Sequence, residues 1–443
     1  MRRQGLRHPA RLVPLGFLAL IALGTMLLAL PWSRAGEGAA PLITALFTAT
    51  SAACITGLVV VDTASYWSGF GQAVIALLMQ VGGFGIMTGS TLLGLLVSRR
   101  LGLGTRLLAQ AETRSLGLGD VMAVLRLVAV VTLVVEAAIA LMLILRLHFG
   151  YDEPWPAAVW HGAFHAVSSF NNGGFSTYAT GMMRFQGDAG VLVPVMLGVL
   201  LGGIGFPVLH ELRNERRWRR WSVHTKLTLL GTALLLPGGA LLIGLYEANN
   251  PATLGPMDQA TAALNAVFMS VSARSSGFNA VDIGALRPES IAAHYLMMFV
   301  GGGSASTAGG IKLTTFLLLG LVVWAEVRGD RETTAFGRSI GTSVQRQALT
   351  IALLGVMMVA VGTLLMLSLT SFPLDAVIFE VISAFATVGL STGITPHLPP
   401  AAQTVLVALM FIGRVGTVTV VTALALRPRE AIYRYPEERP IVG

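Results

Sequence analysis

Four short phrases hold the residues best suited to chemistry: TATSAACITGL (48–58), HAVSSFNNGGFS (165–176), MSVSARSSGFN (269–279) and ISAFATVGLSTG (382–393). Each has a serine-rich helix end, a run of small or uncharged residues, and a glycine followed by Leu or Phe. The glycines are Gly57, Gly174, Gly277 and Gly389, at intervals of 117, 103 and 112 residues. A regular period this long marks a duplicated unit. Such phrases can ligate a cation with backbone carbonyls in place of its hydration shell. Glycine reaches the dihedrals that turn successive carbonyls the same way. The ligands expected are Cys54, Ile55, Thr56 and Gly57; Asn171, Asn172, Gly173 and Gly174; Arg274, Ser275, Ser276 and Gly277; and Ala386, Thr387, Val388 and Gly389. None is an acid, so selection would rest on carbonyls. One such phrase would be ordinary small-residue packing between membrane helices. Four in matching positions argue for a pore.

The elements that position them follow from composition. The chain is 54% hydrophobic and 12% charged, with a mean hydropathy of +0.72 and 51 glycines. That excludes a water-soluble globular enzyme, a disordered chain and a fibrous protein. Apolar segments at roughly 12–31, 72–98, 121–147, 189–212, 226–247, 291–327, 347–371 and 402–426 are eight candidate spans. The semi-apolar segment before each phrase is too short to span and reads as a re-entrant helix. Its C-terminal dipole end would favour a cation at the phrase. The expected fold is all-α and polytopic: eight transmembrane helices plus four re-entrant pore helices. Four membrane–pore–membrane repeats (12–98, 121–212, 226–327 and 347–426) would surround one pseudo-fourfold pore, with 427–443 as a tail.

Segments 1–11, 99–120, 213–226, 328–346 and 427–443 carry 22 of the 30 Lys and Arg. The opposite loops carry three: Arg34, Arg184 and Arg287. This bias predicts both termini in the cytoplasm of a multi-pass membrane protein. It also explains the net charge of +8 without nucleic acid. The basic N-terminus followed by an apolar run could be a signal peptide, but the run from Leu12 to Leu30 is long for one and suits a span. Cys54 is the sole cysteine, so no intrachain disulfide forms. The run ERRWRRW (215–221) reads as an inner-leaflet loop with Trp218 and Trp221 at headgroup level. HELRN (210–214) lacks the second histidine of a zinc-protease motif, and HGAFH (161–165) has no acidic third ligand nearby. No phosphate-binding glycine motif occurs, so no enzyme activity is expected, and any nucleotide would act through a partner.

With these phrases in hand, the sequence resembles the Ktr/Trk/HKT superfamily of potassium transporters, most of all its KtrB-type ion-translocating subunits. The likeness covers nearly the whole chain. It is carried by FNNGGF (170–175), ATVGLSTG (386–393), GGGSASTAGGIK (301–312), GRVG (413–416) and YPEE (435–438). The first phrase departs by placing Cys54 at a filter position, and the second by Gly173 where alanine is common. The resemblance implies potassium at the filter glycines and channel-like uptake across the cell membrane. It implies a homodimer among membrane lipids, docked on an octameric ring of cytoplasmic, nucleotide-binding KtrA-type subunits, and no covalently bound cofactor. Sodium or sodium–potassium transport by the same fold is the first alternative. An alternating-access transporter is the second, disfavoured because the four phrases share one orientation and the spans are poor in acids.

Segment 291–327 is too long for one straight helix, and half of residues 301–310 are glycine. A helix break is expected there, with Ser304, Ser306 and Thr307 satisfying freed backbone groups. By resemblance this stretch is a gating loop: Gly301, Gly302, Gly303, Ser304, Ala305, Ser306, Thr307, Ala308, Gly309 and Gly310. Lys312, an ammonium in mid-segment, would block the pathway, hold the loop, or snorkel to an interface. Arg414 either projects toward the pore, as the resemblance implies, or bonds helix-end carbonyls. Arg274 is expected to point behind the filter and bond Glu380 or another pore-helix acid, while Glu380 braces the filter. Asn171 and Asn172 are expected to hold the second strand. Glu136, Arg126, His161 and His165 receive no role.

Overall fold

The computed structural model describes residues 9–100 and 121–416, with side chains from 13 to 89 and from 125 to 416. Expectations that fall on the termini, on 101–120 and on 417–443, including YPEE and the tail, lie outside the described residues. The described residues are mostly helical. Four successive units repeat one order of elements. The first is α1 (Pro9–Leu28), α2 (Leu42–Ala53) and α3 (Gly69–Arg100). The second is α4 (Val121–Tyr151), α5 (Trp155–Phe170) and α6 (Ala189–Ile204), continued by α7 (Phe206–Asn214). The third is α8 (Val223–Glu247), α9 (Gln259–Ala273), α10 (Pro288–Phe299) and α11 (Leu313–Arg328). The fourth is α12 (Thr342–Leu369), α13 (Leu374–Phe385) and α14 (Pro400–Phe411), which ends in a π-helical turn over Ile412–Gly416. A two-stranded hairpin, β1 (Thr334–Ala335) and β2 (Arg338–Ser339), links the third unit to the fourth.

Local sequence explains the short helices α2, α5, α9 and α13. Pro41, Pro154 and Pro373 precede three of them; their fixed φ extends the chain and then releases it into helix. Asp258 starts α9 and accepts from the amides of Ala260 and Thr261. Each short helix buries a phenylalanine in its middle: Phe47, Phe164, Phe268 and Phe379, all 3% exposed or less, and α5 and α13 bury a second, Phe170 and Phe385, at their ends. The middle ones lie ten residues before the unit's glycine in three units and nine before it in the third.

The units close on themselves. In each, the first long helix after the glycine phrase packs against the short helix of the next: α3 on α5, α6 on α9, α10 on α13, and α14 back on α2. The short helices thereby converge on one axis.

Among the described residues, four helices are long and apolar enough to cross a membrane: Gly69–Gly89, Leu125–Tyr151, Val223–Glu247 and Thr342–Leu369. The other expected spans are shorter or interrupted. Segment 189–212, expected to be continuous, bends by 93° between α6 and α7. Gly205 sits at the corner with φ of +99°, and a Cβ there would lie 2.6 Å from the Ser304 carbonyl oxygen. Left-handed backbone and a filled neighbourhood together require glycine. Segment 291–327 is interrupted where the glycine content predicts, between Phe299 and Leu313.

Candidate functional site

The short helices end in a shared sequence of conformations, with one departure in the third unit. The C-cap residues are Cys54, Asn171, Arg274 and Ala386, with φ between −78° and −81°. The next residue turns left-handed in three units: Ile55 at +56°, Asn172 at +59° and Thr387 at +48°. Ser275 in the third does not turn, so this phrase leaves its helix differently from the others. The glycines follow with φ of +91°, +70°, +69° and +95°.

The four glycines meet one another's strands in a closed cycle. A Cβ on Gly57 would lie 2.7 Å from the carbonyl oxygen of Gly173. On Gly174 it would lie 2.5 Å from that of Ser276, and on Gly277 2.6 Å from that of Val388. On Gly389 it would collide with that of Thr56, closing the ring. Serines hold the strands from behind. Gly57 and Gly389 donate their amides to Ser51 and Ser383 hydroxyls at 3.1 and 3.0 Å. Ser168 donates to the Phe175 carbonyl at 2.8 Å and Ser272 to that of Phe278. The ring opens onto a cavity of about 210 Å³ lined by all four glycines, in which Asp62 is the charged side chain.

Beyond the glycines, polar side chains pin the chain, some as expected from sequence and some not. His161 Nδ1 pairs with the Thr177 hydroxyl at 2.6 Å and His165 Nε2 with that of Ser176 at 3.0 Å, so the two imidazoles serve the second strand rather than a metal. Among the described residues, no cluster of three or more His, Cys, Asp or Glu could hold a metal ion. Glu380 accepts from Ser391 at 2.5 Å, Thr395 at 2.7 Å and the Thr392 amide at 3.0 Å, bracing the chain after Gly389. It therefore does not pair with Arg274, as expected from sequence. Arg274, 8% exposed, donates instead to the Gly301 carbonyl at 3.4 Å. Glu380 is occupied by its own loop, and the C-cap of α9 faces the break in its own unit. Asn171 donates to the Val167 carbonyl at 3.0 Å. With its amide oxygen and nitrogen exchanged, the orientation that satisfies its neighbours, Asn172 donates to the carbonyls of Ser169 and Val199, both at 3.1 Å.

The break over 300–312 crosses beneath the ring. Its ends pair as a parallel bridge between Val300 and Ile311. Gly303 and Thr307 donate their amides to the carbonyls of Gly203 and Gly202 in α6, at 2.8 and 3.2 Å. The Gly309 amide donates to Ser275 Oγ at 3.1 Å. A Cβ at Gly309 would strike both Thr387 and Ala386. Ser306 returns to the Gly303 carbonyl at 2.6 Å, the local satisfaction expected of it. Ser304 instead pairs with Thr314 at 3.0 Å, and Thr307 reaches the Phe170 carbonyl at 3.3 Å.

Three cationic side chains grip this loop. Arg274 takes the Gly301 carbonyl, Lys312 takes that of Ala308 at 2.5 Å, and Arg414 takes that of Thr307 at 2.5 Å. Of the three outcomes open for Lys312, the structure has it bonding the loop. Arg414 lies in the π turn, is 2% exposed, and faces the bundle interior. No ion pair with an acid forms at any of the three among the described residues. The two buried arginines and the half-buried Lys312 are held by carbonyl dipoles instead.

A cation transport protein family, TrkH, matches residues 15–435. The Ktr system potassium uptake protein B of Bacillus subtilis is 37% identical over 437 residues, which are 98% of this chain and 97% of that one. The potassium/sodium uptake protein NtpJ of Enterococcus hirae is 34% identical, covering 98% of this chain and 97% of its own. The crystal structure of the potassium transporter TrkH from Vibrio parahaemolyticus shares the fold with a TM-score of 0.73 at 18% identity, over 97% of this chain and 87% of that one. These matches bear out transport rather than enzyme chemistry. The chain belongs to the TrkH family of cation transport proteins.

Proposed function

We propose that this protein takes up potassium across the cell membrane through one pore per chain, selected at the ring of four glycine phrases. The observation that carries this reading is the closed cycle in which each glycine packs on the next strand's carbonyl. Such a ring offers carbonyls around an axis and no carboxylate, which suits a cation stripped of water. An inside-negative potential supplies about 2.3 kcal/mol per charge per 100 mV for inward movement. The potassium uptake protein of B. subtilis, similar over almost its whole length, supports the choice of ion. NtpJ, whose name carries both ions, supports sodium as a second permeant.

On this reading the four units are membrane–pore–membrane repeats, giving eight spans and four re-entrant helices. The interrupted helices α6–α7 and α10–α11 and the shorter α1 and α14 then complete the count. Both termini lie in the cytoplasm, a reading supported by the distribution of Lys and Arg. The 300–312 loop closes the pathway below the ring, and Arg274, Lys312 and Arg414 hold it shut. The chain forms a homodimer among membrane lipids and docks a KtrA-type nucleotide-binding ring through its basic cytoplasmic loops and tail. Nucleotide acts only through that partner, and no covalent cofactor is needed.

Potassium-dependent growth tests the assignment. The full chain, with and without a KtrA-type partner, is expressed in a bacterium lacking its own potassium uptake, beside Gly277→Ser. Rescue at low potassium, lost or made sodium-permissive in Gly277→Ser, is the expected result. A well-expressed native chain that neither rescues nor carries ions in flux assays, with the partner present, overturns it.

A further inference from the structure

Glu136 is a carboxyl inside the apolar helix α4, and it is 6% exposed. An ionisable group in such a segment persists where it has specific partners. Glu136 has two. One oxygen accepts from Asn171 Nδ2 at 2.9 Å and the other from Gln80 Nε2 at 3.2 Å. Gln80 in turn accepts from Asn171 Nδ2 at 3.0 Å. The three side chains form a closed triangle with corners on α3, on α4 and at the C-cap of α5.

The triangle stands directly behind the second strand of the ring. A Cβ on Gly83 of α3 would collide with the side-chain oxygen of Asn171, and one on Gly173 with the sulfur of Met79. Asn171 is fully buried. The four C-cap positions are thus anchored differently: Arg274 reaches the loop and Asn171 a carboxylate, while Cys54 and Ala386 carry a buried thiol and a methyl. The second strand packs on the first and third through Gly57 and Gly174, so its placement sets that of both neighbours.

We propose that Glu136 is a positioning residue for ion selection: through Asn171 it fixes the second strand, and through that strand the aperture of the ring. It touches no ion itself. The proposal rests on reading the ring as the selectivity filter. A carboxylate suits the corner because both its oxygens accept and it brings no donor. A glutamine there would face the Gln80 amino group with its own. If Gln80 turned to accept from it, Gln80 would meet Asn171 donor to donor. One edge of the triangle is lost in either arrangement.

The test is the ratio of potassium to sodium uptake by the full chain with its KtrA-type partner at matched expression. In Glu136→Leu the ratio should fall at least about fivefold, as expected for loss of hydrogen bonds to a buried charged group. Glu136→Gln should fall between Glu136→Leu and native. Glu136→Leu combined with Asn171→Ala should fall no further than the worse single change, because both break one network. A native ratio in Glu136→Leu, or single effects that multiply, would overturn the proposal. Should Glu136→Leu fail to accumulate, Gln80→Met, which removes two edges, and Glu136→Gln, which removes one, are read the same way; a native ratio in both overturns it equally. Gly277→Ser in parallel separates the two readings. No change there sinks the filter assignment, whereas a change there with native ratios in the Glu136 variants sinks only this proposal.

Discussion

Replacing Arg414 by alanine tests whether the 300–312 loop is a latch. Thr307 is pinned three ways: its amide by Gly202, its hydroxyl by Phe170 and its carbonyl by Arg414. The substitution removes one of the three, so the loop is loosened rather than lost. A hydrogen bond from a charged donor contributes about 1.5–3 kcal/mol, or roughly 10- to 150-fold in the ratio of released to held loop. A loop released about 1% of the time would then be released on the order of 10–60% of the time. Removing a positive charge beside the cation path acts in the same direction. The assay is the initial rate of potassium uptake without the KtrA-type partner, at matched expression. The native chain should be nearly silent and Arg414→Ala should be at least about tenfold faster, with Arg414→Gln between them because it keeps a donor without the charge. An unchanged or slower rate in well-folded Arg414→Ala would refute the latch and leave Arg414 as a helix-end brace.

Further outcomes follow from the same geometry. Lys312→Met should also raise partner-independent uptake, but combined with Arg414→Ala it should add less than its separate effect, since Ala308 and Thr307 are neighbours in one loop. Gly389→Ala places a left-handed alanine, costing about 1–2 kcal/mol for handedness alone, and drives its Cβ into the Thr56 carbonyl. Growth at low potassium should fail or become sodium-permissive. Gly205→Ala should lower the melting temperature of the purified protein by several degrees and raise partner-independent uptake, because its Cβ pushes on the Ser304 carbonyl. A native melting curve for Gly205→Ala would show that the corner tolerates a side chain.

Much of the fold was legible because glycine and hydropathy carry it directly. The four phrases, their spacing and the break at 301–310 are visible as composition. The break at Gly205 was not, although Gly202, Gly203, Gly205 and Pro207 cluster there. Their apolar flanks keep hydropathy high through the corner, and hydropathy does not register a turn that remains within apolar surroundings. Long-range pairing was also hidden. Arg274 is expected to bond Glu380 or another pore-helix acid because they lie near the same phrases, but sequence does not say which donors already fill a carboxylate. Glu136 had no visible partner for a related reason: Gln80 and Asn171 lie far off along the chain and come together only when α3, α4 and α5 pack. The third phrase conceals its departure in the same way, since SARSSGF looks like its sisters until Ser275 fails to turn.

The closing contact of the ring, Gly389 on Thr56, joins residues separated by most of the chain. It therefore bears on biosynthesis. Closing so long a loop is slow and entropically late, and nascent membrane proteins acquire their segments from the N-terminus onward. A chain halted after the third unit would have its first and third strands each missing a neighbour, with no complete aperture through which ions could leak. On the proposed reading the aperture is complete only once α13 and α14 have seated against α2, so the ion path is the last part of the fold to form.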